Sequence, residues 1–375
     1  MRGPVGRWLS PCRVAFVALF LATACRAALP NSPIAEIGVA ANLTCARTLD
    51  RRVFCWGRNA QGELSGYPSR DRRAPIEISL PPVATLALGS TKICVVLSDG
   101  GLMCWGTTHA SGWTLLDARP PAAIPGLQPI TSAALGDHFG CGVERGGLVR
   151  CFDDDPFPES SWSGAMPPIV LPTSARAISV GGKHGCVLGN DGTVACWGDN
   201  TLGESGQPPQ IDTRQPRTVS DLNHVVQVAA GSQYTCARTS DGLVRCWGSN
   251  YFGQLGDGST AGHYTPRPVL GLRQAIGVAV GDAHSCAWTR DGSGWCWGFN
   301  SEGQLGNGTR RDSPVPVRVP LAAPVQQMAV SGNGAFSHSC ALVADGAIYC
   351  WGYNDSGQLG DGTRVSRLSP TRVRW

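Results

Sequence analysis

Fourteen of the sixteen cysteines fall into seven pairs, and the two members of every pair are ten positions apart. The pairs are Cys45 with Cys55, Cys94 with Cys104, Cys141 with Cys151, Cys186 with Cys196, Cys236 with Cys246, Cys286 with Cys296, and Cys340 with Cys350. Successive first cysteines lie 49, 47, 45, 50, 50 and 54 residues apart. That period belongs to propeller blades or solenoid repeats, in which one unit cannot bury its apolar face without a neighbour.

The segment inside each pair reads as a β-hairpin. In Cys186–Cys196, β-prone residues flank an Asp191-Gly192 turn signal. A three-residue loop of Asn190, Asp191 and Gly192, with a left-handed glycine last, pairs Gly189 with Thr193. Counting outward then brings Cys186 opposite Cys196, at a non-hydrogen-bonded position with Cα atoms about 4.5 Å apart. The same frame holds at Asp99-Gly100, Gly146-Gly147, Asp241-Gly242, Asp291-Gly292 and Asp345-Gly346, whereas the first repeat has Asp50-Arg51 at the turn.

Three chemistries compete for such pairs. In an oxidising compartment they form disulfides, each closing a loop of about ten residues and contributing on the order of 2–3 kcal/mol in the chain-entropy picture. In the cytosol they stay thiols and act as small core residues. Zinc binding by His plus two Cys would need a histidine in each repeat. Histidine stands two residues before the first cysteine only at His184, His284 and His338, while Leu43, Lys92, Phe139 and Tyr234 take that place elsewhere. No metal or other cofactor is expected.

The N-terminus decides for the first chemistry. Arg2 and Arg7 precede an 11-residue apolar stretch from Val14 to Ala24, ending in the small residues Ala22-Thr23-Ala24, the order of an export signal. A membrane span needs about 20 residues. Residues 1–24 are therefore expected to be a signal peptide, 25–33 a linker and 34–375 the repeat domain. Leu21-Ala22-Thr23-Ala24-Cys25 is similar to a bacterial lipoprotein signal, although such signals usually carry Leu three residues before the cysteine, where this chain has Ala22. Cys25 is thus a lipidation candidate, simple secretion being the alternative. A lipid there would be the chain's one link to a membrane.

Each regular repeat has the same order of parts, seen in Val225–Gly231, Tyr234–Ala237, Leu243–Gly248, the glycine-rich Asn250–Gly258 and Pro268-Val269. This gives four short strands with an apolar face that stacking around an axis would bury. At this point the sequence resembles the regulator of chromosome condensation repeat family, whose repeats carry Gly-x-x-His, Cys-Trp-Gly and Asn-x-x-Gly-Gln-Leu-Gly-Asp-Gly. Repeats five to seven match closely, with Gly303–Gly308 and Gly357–Gly362 completing the set. The resemblance spans roughly residues 34 to 375 and implies an all-β, seven-bladed β-propeller of four-stranded antiparallel blades. Pro370–Val373 reads as a spare strand that would complete the first blade and close the ring.

Function is sought where the repeat breaks down. The sequence has no Gly-x-Ser-x-Gly elbow, His-Glu-x-x-His helix or obvious carboxylate pair, so a binding scaffold is expected and not an enzyme. A net charge of +4 spread along the chain gives no basic stripe for nucleic acid. The tryptophans after the second cysteine, such as Trp247 and Trp297, read as packing residues, and Asp153-Asp154-Asp155 as a solvated loop. The second repeat carries Trp113, and the third carries Phe152, Phe157 and Trp162, where a regular repeat has none of these. Aromatics on loops of a rigid ring suit a protein partner, so these four are the partner-binding candidates of a monomeric, exported, protein-interacting propeller. The other readings are an inhibitor of an extracellular enzyme, of the β-lactamase inhibitory propeller type, a carbohydrate-binding propeller or channel hydrolase, and the family's guanine-nucleotide exchange. Export and paired cysteines oppose the last. Peptide mapping without reduction is expected to recover seven cross-links, each between cysteines of one pair. Seven free pairs would overturn the redox argument.

Overall fold

The computed structural model describes residues 32–60, 62–64, 69–89, 92–106, 119–124, 126–137, 139–152, 169–171, 173–209, 213–332 and 336–375. The described residues form seven antiparallel sheets, one per cysteine pair, with strands in sequential order. The first blade runs outward through Ile34–Ala40, Leu43–Thr48, Val53–Gly57 and Arg72–Ile78. Among the described residues the third has the strands Ile130–Leu135, Gly140–Glu144 and Val149–Phe152, with Ile169 bridged to Val149 on the outer side.

All seven cysteine pairs are cross-strand partners joined as disulfides. Cys45 bonds to Cys55, Cys94 to Cys104, Cys141 to Cys151 and Cys186 to Cys196 in blades one to four. Cys236 bonds to Cys246, Cys286 to Cys296 and Cys340 to Cys350 in blades five to seven. The paired Cα atoms are 3.9–4.1 Å apart, somewhat closer than the ideal non-hydrogen-bonded pair. Thirteen of the fourteen cysteines are buried and only Cys104 is half-buried, so these cross-links sit inside the seams and not on the surface. The hairpin geometry read from the sequence is present: Gly189 N–H donates to Thr193 O and Gly192 has φ +80°. In the first repeat Arg51 takes the left-handed place of that glycine, at φ 69°.

There is no single core. Buried apolar side chains sort into seven clusters, and each lies in the seam between two successive blades. The tryptophan after the second cysteine in six of the blades supplies the largest of these side chains, from Trp56 to Trp351, and none is more than 3% exposed; the third blade has Phe152 there. Because an antiparallel blade buries both faces only between neighbours, the ring must close on itself.

The ring does not close through the C-terminal strand. Arg367–Arg372 pairs with Ile348–Gly352 inside the seventh blade, and the first blade has its own outer strand in Arg72–Ile78. Ala74-Pro75-Ile76 is the first repeat's counterpart of the later Pro-Val segments, so the expected spare strand does not exist. Blades seven and one meet through side chains instead: Gln327 accepts from Ile37 N–H at 2.9 Å and donates back to Ile37 O at 3.0 Å. Each outer strand presents an open edge, and prolines such as Pro75, Pro216, Pro266, Pro314 and Pro370 lie in them, which removes donors that would recruit a foreign strand.

One end of the channel is drawn tight by glycine. A Cβ placed on Gly136, Gly181, Gly231 or Gly281 would lie 1.9–2.3 Å from a carbonyl oxygen of the following blade. Gly182 N–H reaches Gly231 O at 3.1 Å across the same gap. Gly181→Ala is therefore expected to destabilise by about 3 kcal/mol, the upper part of the overpacking range. Gly346→Ala, at φ +80° with no atom nearby, is expected to cost only the left-handed conformation, about 1 kcal/mol. Chemical denaturation of both variants checks this, and equal losses would refute the ring-contact argument.

Candidate functional site

The first-to-second strand turn and the long third-to-fourth strand loop emerge on one face of the ring; the cysteine hairpins emerge on the other. The long loops are held by an interlock that repeats from seam to seam. At the fifth seam, counting from blade five to blade six, the backbone carbonyl of Gln254 accepts from Trp297 Nε1–H at 2.9 Å and from Ser285 Oγ–H at 3.0 Å. Gln304 O accepts likewise from Trp351 at 2.9 Å and Ser339 at 2.8 Å, and Glu204 O from Trp247 at 3.0 Å and Thr235 at 2.9 Å. Between blades seven and one Thr44 donates to Gln358 O at 2.8 Å, while the buried Trp56 indole N–H has no partner. Trp375 packs edge-on against that indole, with ring centroids 6.1 Å apart.

The histidines belong to this interlock. His184, His284 and His338 place Nε2 2.8, 2.9 and 2.7 Å from the hydroxyls of Thr235, Ser339 and Thr44 on the next blade. Each hydroxyl already gives its one proton to a carbonyl, which can only accept, so the imidazole must donate from Nε2. Nδ1 of His184 and His338 is then a buried acceptor with no partner. Tyr234 takes the histidine's place in blade five, with its hydroxyl 2.9 Å from Ser285 Oγ. Among the described residues no group of three or more His, Cys, Asp or Glu side chains is placed to hold a metal ion.

The expected site residues fare differently. Phe152 is buried at 1% exposure in the seam cluster with Leu102, Ile130 and Leu135, so it does not face a partner. It follows Cys151 where other blades have tryptophan, and that position points into the seam whichever aromatic fills it. Trp113, Phe157, Trp162, Cys25 and the Asp153–Asp155 run lie outside the described residues. The structure instead brings other aromatics to the loop face of blades five to seven. Tyr251, Phe252 and Phe336 are 68%, 39% and 51% exposed; Phe252 packs on Phe299 at 4.7 Å and Phe336 on Tyr353 at 5.0 Å. The seam hydroxyls, Thr44, Thr235, Ser285 and Ser339, share one position immediately before the first cysteine, and that repetition was the signal in the sequence.

Burial gives the interlock a pH dependence. It lowers His184 to about 4 and His284 and His338 to about 3, from an ordinary 6.5, with His284 adding to the effect at His338. Glu204 stands where Gln254, Gln304 and Gln358 stand in other loops, and burial raises it from 4.5 to about 7. Unfolding between pH 4.5 and 6.5 thus takes up three protons at the histidines and releases one from Glu204. Stability falls as pH drops through this window, by about 3 kcal/mol per unit for two net protons. Glu204→Gln removes the released proton, which is expected to steepen the slope and to add about 3 kcal/mol of stability above pH 7. Denaturation midpoints from pH 5 to 8 test both; an unchanged slope would contradict the assignment.

Comparison with known proteins agrees with this geometry. Residues 118–375 match the family described as the RCC1-like domain. The ultraviolet-B receptor UVR8 of Arabidopsis thaliana is 34% identical over 221 residues, covering 54% of this chain and 50% of that protein. Protein pim1 of Schizosaccharomyces pombe is 27% identical over 218 residues, covering 51% and 39%. The match thus spans half or less of each relative's length. Among solved structures, human WBSCR16 superposes with a TM-score of 0.76 at 20% identity, covering 86% of this chain and 94% of that one. Prp20p of Saccharomyces cerevisiae gives 0.55 at 21% identity, covering 91% and 77%. Seven blades, the Cys-Trp-Gly strand ends and the glutamine-bearing loops are thus one pattern, and the chain belongs to the RCC1-like domain family.

Proposed function

We propose that this chain is an exported, non-catalytic propeller that binds a protein partner through the loops of one face. The observation that carries the reading is the set of exposed aromatics: Tyr251 and Phe252, mounted on a loop whose Gln254 carbonyl is fixed by the seam, and Phe336 on a blade-seven turn, packed on Tyr353. Rigid aromatic anchors lose little entropy on binding and dominate protein interfaces. Seven disulfides support an oxidising compartment, as does the signal-like N-terminus with Cys25 as the site of cleavage and lipidation. Prp20p is described with binding to Gsp1p and histones; what carries over is a propeller used as a binding platform. Trp113, Phe157 and Trp162 remain second-rank contacts of the same reading.

The test is capture from the cell envelope of the source organism by the immobilised mature chain. One defined protein is expected on the wild type. Tyr251→Ala/Phe252→Ala/Phe336→Ala is expected to weaken its capture at least about tenfold, and Phe157→Ala/Trp162→Ala less. No retained protein, or glycan alone, would refute the reading.

A further inference from the structure

The seam between blades seven and one differs from the others at its outer rim. In each regular seam the long loop rests on the outer strand of the next blade: Gly203 on Tyr264, Gly253 on Pro314 and Gly303 on Leu368, each with the neighbour's Cα within 3 Å of where a glycine Cβ would be. At the closing seam Gly357 rests on Arg73 in the same way, and Gly362 N–H donates to Arg73 O at 3.0 Å. A second position shows the same change. Leu270 donates its N–H to Gly256 O in blade five, and Arg374 does so to Gly360 O in blade seven. An apolar side chain seats the loop in three seams, so arginine is not needed for seating it in the fourth.

The arginines accumulate there. Arg70, Arg72, Arg73, Arg364 and Arg374 are exposed and Arg367 is half-buried. Arg364 meets Asp71 at 2.9 Å and Arg367 meets Asp361 at 2.8 Å. Six arginines stand against Asp71, Asp355 and Asp361, a local surplus of positive charge at one seam. Among the described residues Arg70, Arg72, Arg73 and Arg374 have no ion pair. Such a surplus steers an oppositely charged surface into place and orients it.

We infer that this arginine-lined seam docks an acidic segment of the protein partner, an assignment that rests on the function proposed above. Its position is on the loop face, the face that carries the exposed aromatics Tyr251, Phe252 and Phe336. Ser32, where the described chain begins, accepts from Asp50 N–H at the hairpin face, whereas Arg72 and Arg367 pair with Gly57 and Gly352 at the loop face.

The test titrates the mature chain with a fluorescein-labelled oligoglutamate at low and at physiological salt. Binding is expected to weaken about tenfold in Arg70→Ala/Arg73→Ala/Arg374→Ala and to fall with salt. Arg217→Ala/Arg267→Ala/Arg318→Ala removes the same charge from the outer strands of blades four to six and is expected to leave binding unchanged. Equal weakening in both variants would reduce the effect to net charge and overturn the assignment. Binding of anionic phospholipid vesicles or polyphosphate through these arginines without oligoglutamate binding would also overturn it. Capture of a partner that is undiminished in Arg70→Ala/Arg73→Ala/Arg374→Ala would refute this surface and leave the partner reading intact.

Discussion

The carbonyl at the middle of the regular long loops is the point on which their seams depend. At Glu204, Gln254 and Gln304 it receives an indole N–H and a hydroxyl from the next blade. A loop carbonyl buried without donors would be costly, and a tryptophan buried with an unmatched N–H would be too. Each group removes the other's deficit, and only when the neighbouring blade is in place. The interaction therefore couples burial of the apolar seam to the position of the loop that any partner would meet.

Disulfides and seams act at different ranges. Each disulfide joins residues ten apart within one hairpin, from Cys45 with Cys55 to Cys340 with Cys350, so it constrains a blade and says nothing about its neighbour. The seams join residues that lie about a repeat apart, and about 290 to 315 apart at closure, as in Ile37 with Gln327 and Thr44 with Gln358. Long-range contacts must wait for loop closure and gain from preformed local pieces. Hairpins fixed by oxidation supply those pieces, which is a physical reason for a disulfide in every blade.

The architecture was legible because it is periodic. A ten-residue cysteine spacing fixes hairpin register, and an Asp-Gly turn fixes which strand residues face each other. What repetition does not convey is phase. Ala74-Pro75-Ile76 lacks a Pro-Val pair, so the first blade's outer strand is hidden and the last strand looks spare. Phe152 misleads for a related reason: it departs from Trp in chemistry, but position in the repeat sets burial and chemistry only sets size. The arginine seam and the exposed aromatics depend on which loop lies against which strand, a relation between residues in different blades, such as Arg73 and Gly357.

The interlock is not uniform around the ring. Its hydroxyl is present at Thr235, Ser285, Ser339 and Thr44 and absent at Ile93, Gly140 and Gly185, so it runs from the seam after blade four to the seam before blade one. The aromatics Tyr251, Phe252 and Phe336 and the arginines Arg73 and Arg374 all lie on blades within that arc. A surface assembled from several blades presents a fixed shape only where the blades cannot shift against one another. Hydroxyl and carbonyl supply that constraint along the arc that carries the exposed groups, with the indole added at its seams except the closing one, where Trp56 N–H is unpaired. The regular half of the ring, and not the half where the repeat decays, therefore has the stiffer support for a partner spanning more than one blade.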